Sequence, residues 1–281
     1  MKCSLARWVQ RTRWFQYATS IALVAAALPN SGKADPIAAH HLEGTLHGYL
    51  SMRNEAGEVL AAGDLIQVVH GDRVTAHLTF HFKDGSLDDE TTVFSQRGTF
   101  QLVNDHHVQK GPFFAHPMDM FIDARKGEVI VRSLAKDGKS EDAKTEQMKF
   151  PPDLCSGLMV IPLAKNLSPS ASGTEVSMVV GAPKPRLVKI AFSGQGEDDF
   201  SLAGFERKAR HFEIKFDLQG AAGVIAPLVG KQPPNIEVWI QDGEVPAFVK
   251  EEGPLSEGSQ IVSIQQTGLT GPNKAGTASG K

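Results

Sequence analysis

The chain is predicted to be mainly β: a single antiparallel curved sheet or half-barrel with one or two short helices. Two observations predict it. Apolar and polar residues alternate with period two over most of residues 44–149, and again at 187–192, 211–218 and 236–249. The breaks between these runs are short and rich in Gly, Asp and Asn. They leave no room for crossover helices, so neighbouring strands must run antiparallel.

Residues 1–34 read as a cleavable export signal. Lys2, Arg7, Arg11 and Arg13 form a basic leader, residues 21–28 are wholly apolar, and small residues precede the expected cut after Ala34. An uncleaved anchor is the weaker reading, because Gln16, Thr19, Ser20 and Asn30 dilute the stretch below a good membrane span. Cys3 lies before the apolar run, so it cannot become a lipidated first residue. Cleavage leaves 247 residues and removes five basic residues and no acidic one, which takes the net charge from −3 to −8. That balance repels nucleic acid and anionic membranes. Only Cys155 remains, so an internal disulfide is excluded. The expected organisation is a signal over 1–34, one antiparallel β domain over 40–266 and a disordered tail over 267–281.

Within the domain, Val74, Ala76, Leu78, Phe80 and Phe82 alternate with Thr75, His77, Thr79, His81 and Lys83. Asp84-Gly85 then predicts a two-residue type I′ turn, with Phe82 opposite Leu87, His81 opposite Asp88, Thr79 opposite Glu90 and Ala76 opposite Val93. The same device is expected at Gly71-Asp72 and Asp242-Gly243, and another turn at Asp137-Gly138. After Pro151-Pro152, Asp153 is expected to cap a short helix carrying Leu154, Leu158 and Ile161, interrupted by Pro162. Strands follow at 175–180 and 187–192, then a charged loop around Glu197-Asp198-Asp199. In 211–218, Phe212, Ile214, Phe216 and Leu218 should face inward. Residues 220–230 are apolar all round, with Val224, Ile225 and Leu228, and must be buried or meet something apolar. A hairpin over 236–249 should set Trp239 opposite Pro246 and Glu237 opposite Phe248, and a last strand is expected at 261–265.

Ten histidines invite a search for a metal. His40, His41 and His47 form one group, and His106, His107 and His116 another. A third joins His77 and His81, which share a strand face, with Asp88 opposite. Zinc requires three or four converging ligands. The spacing matches no compact zinc signature, and HExxH and paired CxxC are absent. His40 and His41 are expected to be mobile near the new N-terminus, and His77, His81 and Asp88 to lie on a solvated face. The acids Asp88-Asp89-Glu90 and Glu197-Asp198-Asp199 read as exposed charge. GxSxG is absent, Ser86 and Ser156 have no partner pattern, and Cys155 reads as a buried hydrophobe. No cofactor is expected.

What remains is apolar. A curved sheet lined by Phe80, Phe82 and Trp239 and closed by Val224, Ile225 and Leu228 would enclose a cavity for an acyl chain or another apolar ligand.

The run of hairpins, the insertion after Pro151-Pro152-Asp153-Leu154, and the closing pattern from Ala209-Arg210-His211-Phe212 to Ile236-Glu237-Val238-Trp239-Ile240 with Pro246 carry a resemblance. Over residues 42–266 the chain resembles exported bacterial proteins of unknown function whose half-barrel is like that of the outer-membrane lipoprotein carriers LolA and LolB. The resemblance implies an open sheet partly plugged by helices, a periplasmic home and a lipid-like ligand, with no inherited catalytic residue. The expected function is therefore that of an exported, periplasmic or secreted, non-enzymatic protein that binds a lipid-like ligand or an envelope protein, without stable membrane insertion. The alternatives are a metal-dependent hydrolase using His77, His81 and Asp88, and a scaffold for envelope proteins.

Overall fold

The computed structural model describes residues 36–135, 143–181, 184–202, 205–217, 233–267 and 269–270, all within one compact unit spanning Lys33–Lys281. The signal over 1–34, the turn at Asp137-Gly138, the segment with Val224, Ile225 and Leu228, and most of the tail lie outside the described residues.

Two meanders build one sheet. The first comprises β1 (Leu46–Asn54), β2 (Val59–His70), β3 (Arg73–Phe82), β4 (Leu87–Ser95), β5 (Gln101–Lys110), β6 (Met118–Asp123), β7 (Glu128–Ser133) and β8 (Lys144–Gln147). A short β9 (Leu154–Cys155), a 3-10 turn (Gly157–Met159) and helix α1 (Val160–Lys165) follow. The second meander comprises β10 (Ser172–Val180), β11 (Arg186–Leu202), β12 (Phe205–Asp217), β13 (Ile236–Gln241), β14 (Ala247–Pro254) and β15 (Ile261–Gln266). A two-residue β16 (Leu269–Thr270) pairs with the end of β11, so the expected tail begins with a paired strand.

Strand order runs β8-β7-β6-β5-β4-β3-β2-β1-β15-β14-β13-β12-β11-β10-β9, with β8 and β9 as the two unclosed edges. Every pairing is antiparallel except that of β9 with β10. Chain connectivity forces the sheet to curl. Fifteen strands laid flat at about 4.8 Å spacing would separate the edges by roughly 65 Å. Residues 148–153, which join β8 to β9, can span only about 25 Å. The expected curved half-barrel is therefore the observed fold.

Turn chemistry accounts for the departures in register. Gly71-Asp72 is the expected two-residue loop, between paired His70 and Arg73. After β3, however, the loop has three residues. Gly85 N–H bonds to Phe82 O, Phe82 N–H to Ser86 O, and Gly85 takes φ 86°. Asp84 Oδ1 accepts from Ser86 N–H at 2.9 Å, which favours this turn with a bulge over the type I′ alternative. Consequently His81 lies opposite Leu87, Phe80 opposite Asp88, Thr79 opposite Asp89 and Leu78 opposite Glu90. A shift of one residue exchanges the faces of the whole of β4. The hairpin β13–β14 also differs from expectation. Val249 bulges, placing Trp239 opposite Lys250, Ile240 opposite Phe248 and Glu237 opposite Glu252. Gly243 is not among the positive-φ glycines, and the loop spans 242–246.

The capped helix is corrected as well. Leu154–Cys155 forms a strand, and α1 passes through Pro162. As the third helical residue, Pro162 gives up an N–H that has no intrahelical acceptor in any case. Asp153 is a buried acceptor for Ser177 Oγ and Lys189 Nζ, not a cap. Glu197-Asp198-Asp199 lies within β11, in register with Arg210, Ala209 and Lys208 of β12. The segment before β1 is held too: His41 N–H donates to Asn166 Oδ1, and Asn166 Nδ2 donates back to His41 O.

The main core lies under β9 and α1, where Cys155, Leu163 and Ala164 meet Phe94, Phe192, Phe212, Ile214, Val238 and Ile240. A second cluster joins Leu50, Met52, Phe80, Phe82, Phe114, Val262 and Ile264. Among the described residues no helix is long and apolar enough to cross a membrane.

Candidate ligand cavity

Curling leaves a cavity of about 1240 Å³ inside the sheet. Its apolar walls draw on both cores, with Leu50, Phe80 and Ile264 from one and Met120, Val160 and Val179 from the other. Set into these walls are carboxyl groups. Alternation places Asp88, Glu90 and Thr92 of β4 on the cavity face, and Asp105, His107 and Gln109 of β5 directly opposite them.

These groups form one network. His107 Nε2 bonds Asp88 Oδ1 at 2.6 Å, and both side chains are largely withdrawn from solvent. Asp105 Oδ1 accepts from Thr92 Oγ1, whose hydroxyl lies 3.1 Å from Ser156 Oγ. Glu90 receives the Leu158 N–H at 3.4 Å and lies within reach of the charge of Asp105. Gly157 permits that approach: a Cβ at this position would lie 3.1 Å from both Glu90 oxygens.

Burial governs the protonation states. Burial, and then the charge of Asp105, push Glu90 up to about 8. Asp105 is also raised by burial, against the pull of the Thr92 hydroxyl and of His107. For His107 burial disfavours the cation, but Asp88, Glu90 and Asp105 outweigh it and push the imidazole up to about 10. At neutral pH the network therefore holds a cationic His107, an ionised partner and a protonated carboxyl. Burial alone pushes Glu251 of β14 up to about 7. Its cross-strand neighbours are the apolar Val238 and Ile264, and it has no hydrogen-bond or ion-pair partner among the described residues.

The rim holds a more ordinary pair. Lys165 Nζ lies 3.0 Å from Glu43, whose backbone and side chain are also bonded by Gln96 and Gln67.

The residues anticipated as ligand contacts scatter. Phe80 lines the cavity. Phe82 instead packs with Phe113 and Phe114, at ring separations of 4.5 and 5.7 Å. Trp239 lies on the outer face, because Val238 and Ile240 take the inner one. It stacks on His211 at 4.4 Å, donates to Asp198 and lies under Lys250.

The anticipated metal groups do not converge. His77 pairs with Asp89 on the outer face and His81 is exposed there, whereas Asp88 faces inward. His106 bonds Asp119 outside while His107 points inside, and His47 pairs with Asp64. Cys155 is fully buried, with a thiol pushed well up by burial and by Asp153.

Glu90, Asp105, His107 and Glu251 were not anticipated as cavity groups. Phe94 was the available signal for Glu90, since a buried Phe94 sends Thr92, Glu90 and Asp88 to the same side.

No family model matches the chain, and no curated protein matches it. Among solved structures it is similar to a beta-barrel-like protein of the domain of unknown function DUF1849 from Brucella abortus. That alignment has 8% identity and a TM-score of 0.41, and covers 82% of this chain and 99% of the other. It is also similar to the hypothetical lipoprotein YmcC from Escherichia coli, at 7% identity and a TM-score of 0.31 over 78% of this chain and 83% of that one.

Proposed function

We propose that this chain is an exported, non-enzymatic protein of the bacterial cell envelope that holds an amphiphilic, lipid-like ligand inside the curl of its sheet. One observation carries the reading: a cavity of about 1240 Å³ whose walls are mostly apolar. Ordinary small-molecule sites occupy about 300–1,000 Å³. Apolar surface left in water forgoes about 25 cal/mol per Å², and each methylene buried there gains about 0.8 kcal/mol. An acyl chain is the occupant that uses such walls best. The N-terminal sequence pattern supports export, and the resemblance to the lipoprotein carriers supports the envelope setting.

Acid–base groups inside a cavity also raise the question of catalysis. A nucleophile is the missing part. Ser156 Oγ pairs with the Thr92 hydroxyl, His107 is committed to Asp88, and no serine–histidine pair forms among the described residues.

Native mass spectrometry of the processed protein, followed by solvent extraction, tests the reading. Co-purifying amphiphile is expected, and Met178→Trp, which projects bulk into the cavity, should reduce it. Protein that is reproducibly empty and takes up no apolar fluorescent probe would overturn it. N-terminal sequencing of the envelope fraction tests export, with Asp35 expected as the first residue.

A further inference from the structure

We propose, building on the ligand-binding reading above, that the cavity selects amphiphiles whose polar end carries an ammonium group over those ending in a carboxylate or a plain hydroxyl.

The argument is one of charge left over. Six carboxyl side chains, Glu43, Asp88, Glu90, Asp105, Glu251 and Glu257, line the cavity. Lys165 is spent on Glu43 and His107 on Asp88. Arg186 has a partner of its own, and His41, His116 and Glu257 are exposed. Glu90 and Asp105 therefore share His107 with Asp88, and Glu251 is left without a cation. The charge of Asp105 near Glu90 disfavours ionisation of both together.

Glu251 is the decisive residue. It is part-buried, lines the cavity between Val238 and Ile264, and has no partner among the described residues. A carboxyl that faces mostly apolar walls with no protein hydrogen bond is held at a cost, the more so when charged. Phe248 of the same strand and Leu255 just beyond it add only apolar surface to the wall. Its partner is therefore whatever enters the cavity, water or the polar end of a ligand. An ammonium donates up to three hydrogen bonds and supplies the absent charge. A carboxylate head would instead add like charge to an enclosed acidic wall, which is strongly unfavourable at low effective dielectric. The 3-10 turn meets β4 beside Glu90, and α1 meets β14, the strand of Glu251. This inserted segment thus runs between the two acidic stations, with apolar Leu158 and Val160 on the cavity side.

Proton release follows from the same geometry. A bound ammonium lowers the affinity of Glu251 and Glu90 for their protons, so uptake of the amine near pH 7 should expel protons and uptake of an alcohol should not.

Isothermal titration of the processed, delipidated full chain with dodecylamine, dodecanol and dodecanoate, below micellar concentrations at pH 7, tests the proposal. Dodecylamine is expected to bind at least about tenfold tighter than dodecanol, with dodecanoate weakest. Comparing two buffers of different ionisation enthalpy should reveal proton release with the amine alone. Glu251→Gln keeps the shape and removes the charge; it should cut the amine-to-alcohol preference to about twofold, and Glu90→Gln should lower it independently. Dodecanol binding as tightly as dodecylamine, or a preference unmoved in both variants, would overturn the proposal while leaving the ligand-binding reading intact. Failure of all three probes to bind would overturn both.

Discussion

Asp88-Asp89-Glu90 and Glu197-Asp198-Asp199 carry the same three acids in reverse order, and both lie on β-strands. In β4 alternation sends Asp88 and Glu90 into the cavity and leaves Asp89 outside with Thr79 and His77. There the Thr79 hydroxyl and His77 overcome partial burial and hold the Asp89 carboxyl below its usual range. In β11 the triplet follows the bulge at Gly194–Gly196 and projects past the end of β10. Asp198 accepts from Trp239 and faces His211, while Glu197 and Asp199 on the other face approach the exposed Lys208, at 3.8 and 3.7 Å. A carboxylate's chemistry is thus set by what the curl of the sheet places across from it, while its sequence neighbours say little.

The most direct way to break this contrast is to remove a partner from the buried triplet. Asp88→Ala strips His107 of its 2.6 Å acceptor and leaves a cation in an enclosed wall. The expected loss is about 3 kcal/mol, partly offset if Glu90 ionises to replace the lost charge. Urea unfolding at pH 7 measures it, and a loss below about 1 kcal/mol would mean that His107 is not held as a buried ion.

A smaller effect should appear in the pH dependence. Glu90 has a folded pKa of about 8 against an ordinary 4.5, so the folded state binds its proton more tightly than the unfolded state does. Its contribution is complete below pH 4.5 and is lost as pH rises through 8. The His107 pair has the same sign over a higher window, complete below 6.5 and lost toward 10. Stability should therefore decline from pH 5 to pH 9. Glu90→Gln cannot ionise and should flatten the lower part of that decline, so that it matches the parent at pH 5 and exceeds it by on the order of 1–2 kcal/mol at pH 8.5. Parallel curves for the two proteins would show that Glu90 is not held protonated by the fold.

How far the sequence could be read follows from the same residues. Period-two alternation identified most strands, and the inward set Phe212 and Ile214 lies where expected, both fully buried. Composition could not separate a two-residue turn from a three-residue turn at Lys83-Asp84-Gly85, because both need a glycine with positive φ. That one-residue difference hid the cavity network by turning Asp88 and Glu90 outward on paper. Convention hid Glu251: an acid flanked by Lys250 and Glu252 reads as solvent-facing, and only the curl reveals that the inner side of β14 is enclosed. Trp239 erred the other way, since a large aromatic reads as interior while its neighbours Val238 and Ile240 already fill the inner face. Pairing across a sheet is local and was largely readable, whereas the contents of the space inside the curl depend on contacts distant in sequence.

The smallest prediction sharpens the other half of the contrast. Asp199→Ala removes a carboxylate that is 73% exposed and 3.7 Å from a Lys208 that is itself 66% exposed. Exposed pairs of this kind contribute about 0–1 kcal/mol, and salt screens them further. Lys208 keeps Glu197 within 3.8 Å, so the substitution leaves no cation stranded. The expected change is below about 0.5 kcal/mol in dilute buffer and vanishes in 0.5 M salt, roughly a sixth of the cost expected for Asp88→Ala. A loss above about 1 kcal/mol that persists in salt would mean that the outer ribbon is buried against something, such as a second copy of the chain. Sedimentation of the same samples would separate that case from a purely internal effect, because a ribbon buried by self-association would unfold at a concentration-dependent midpoint.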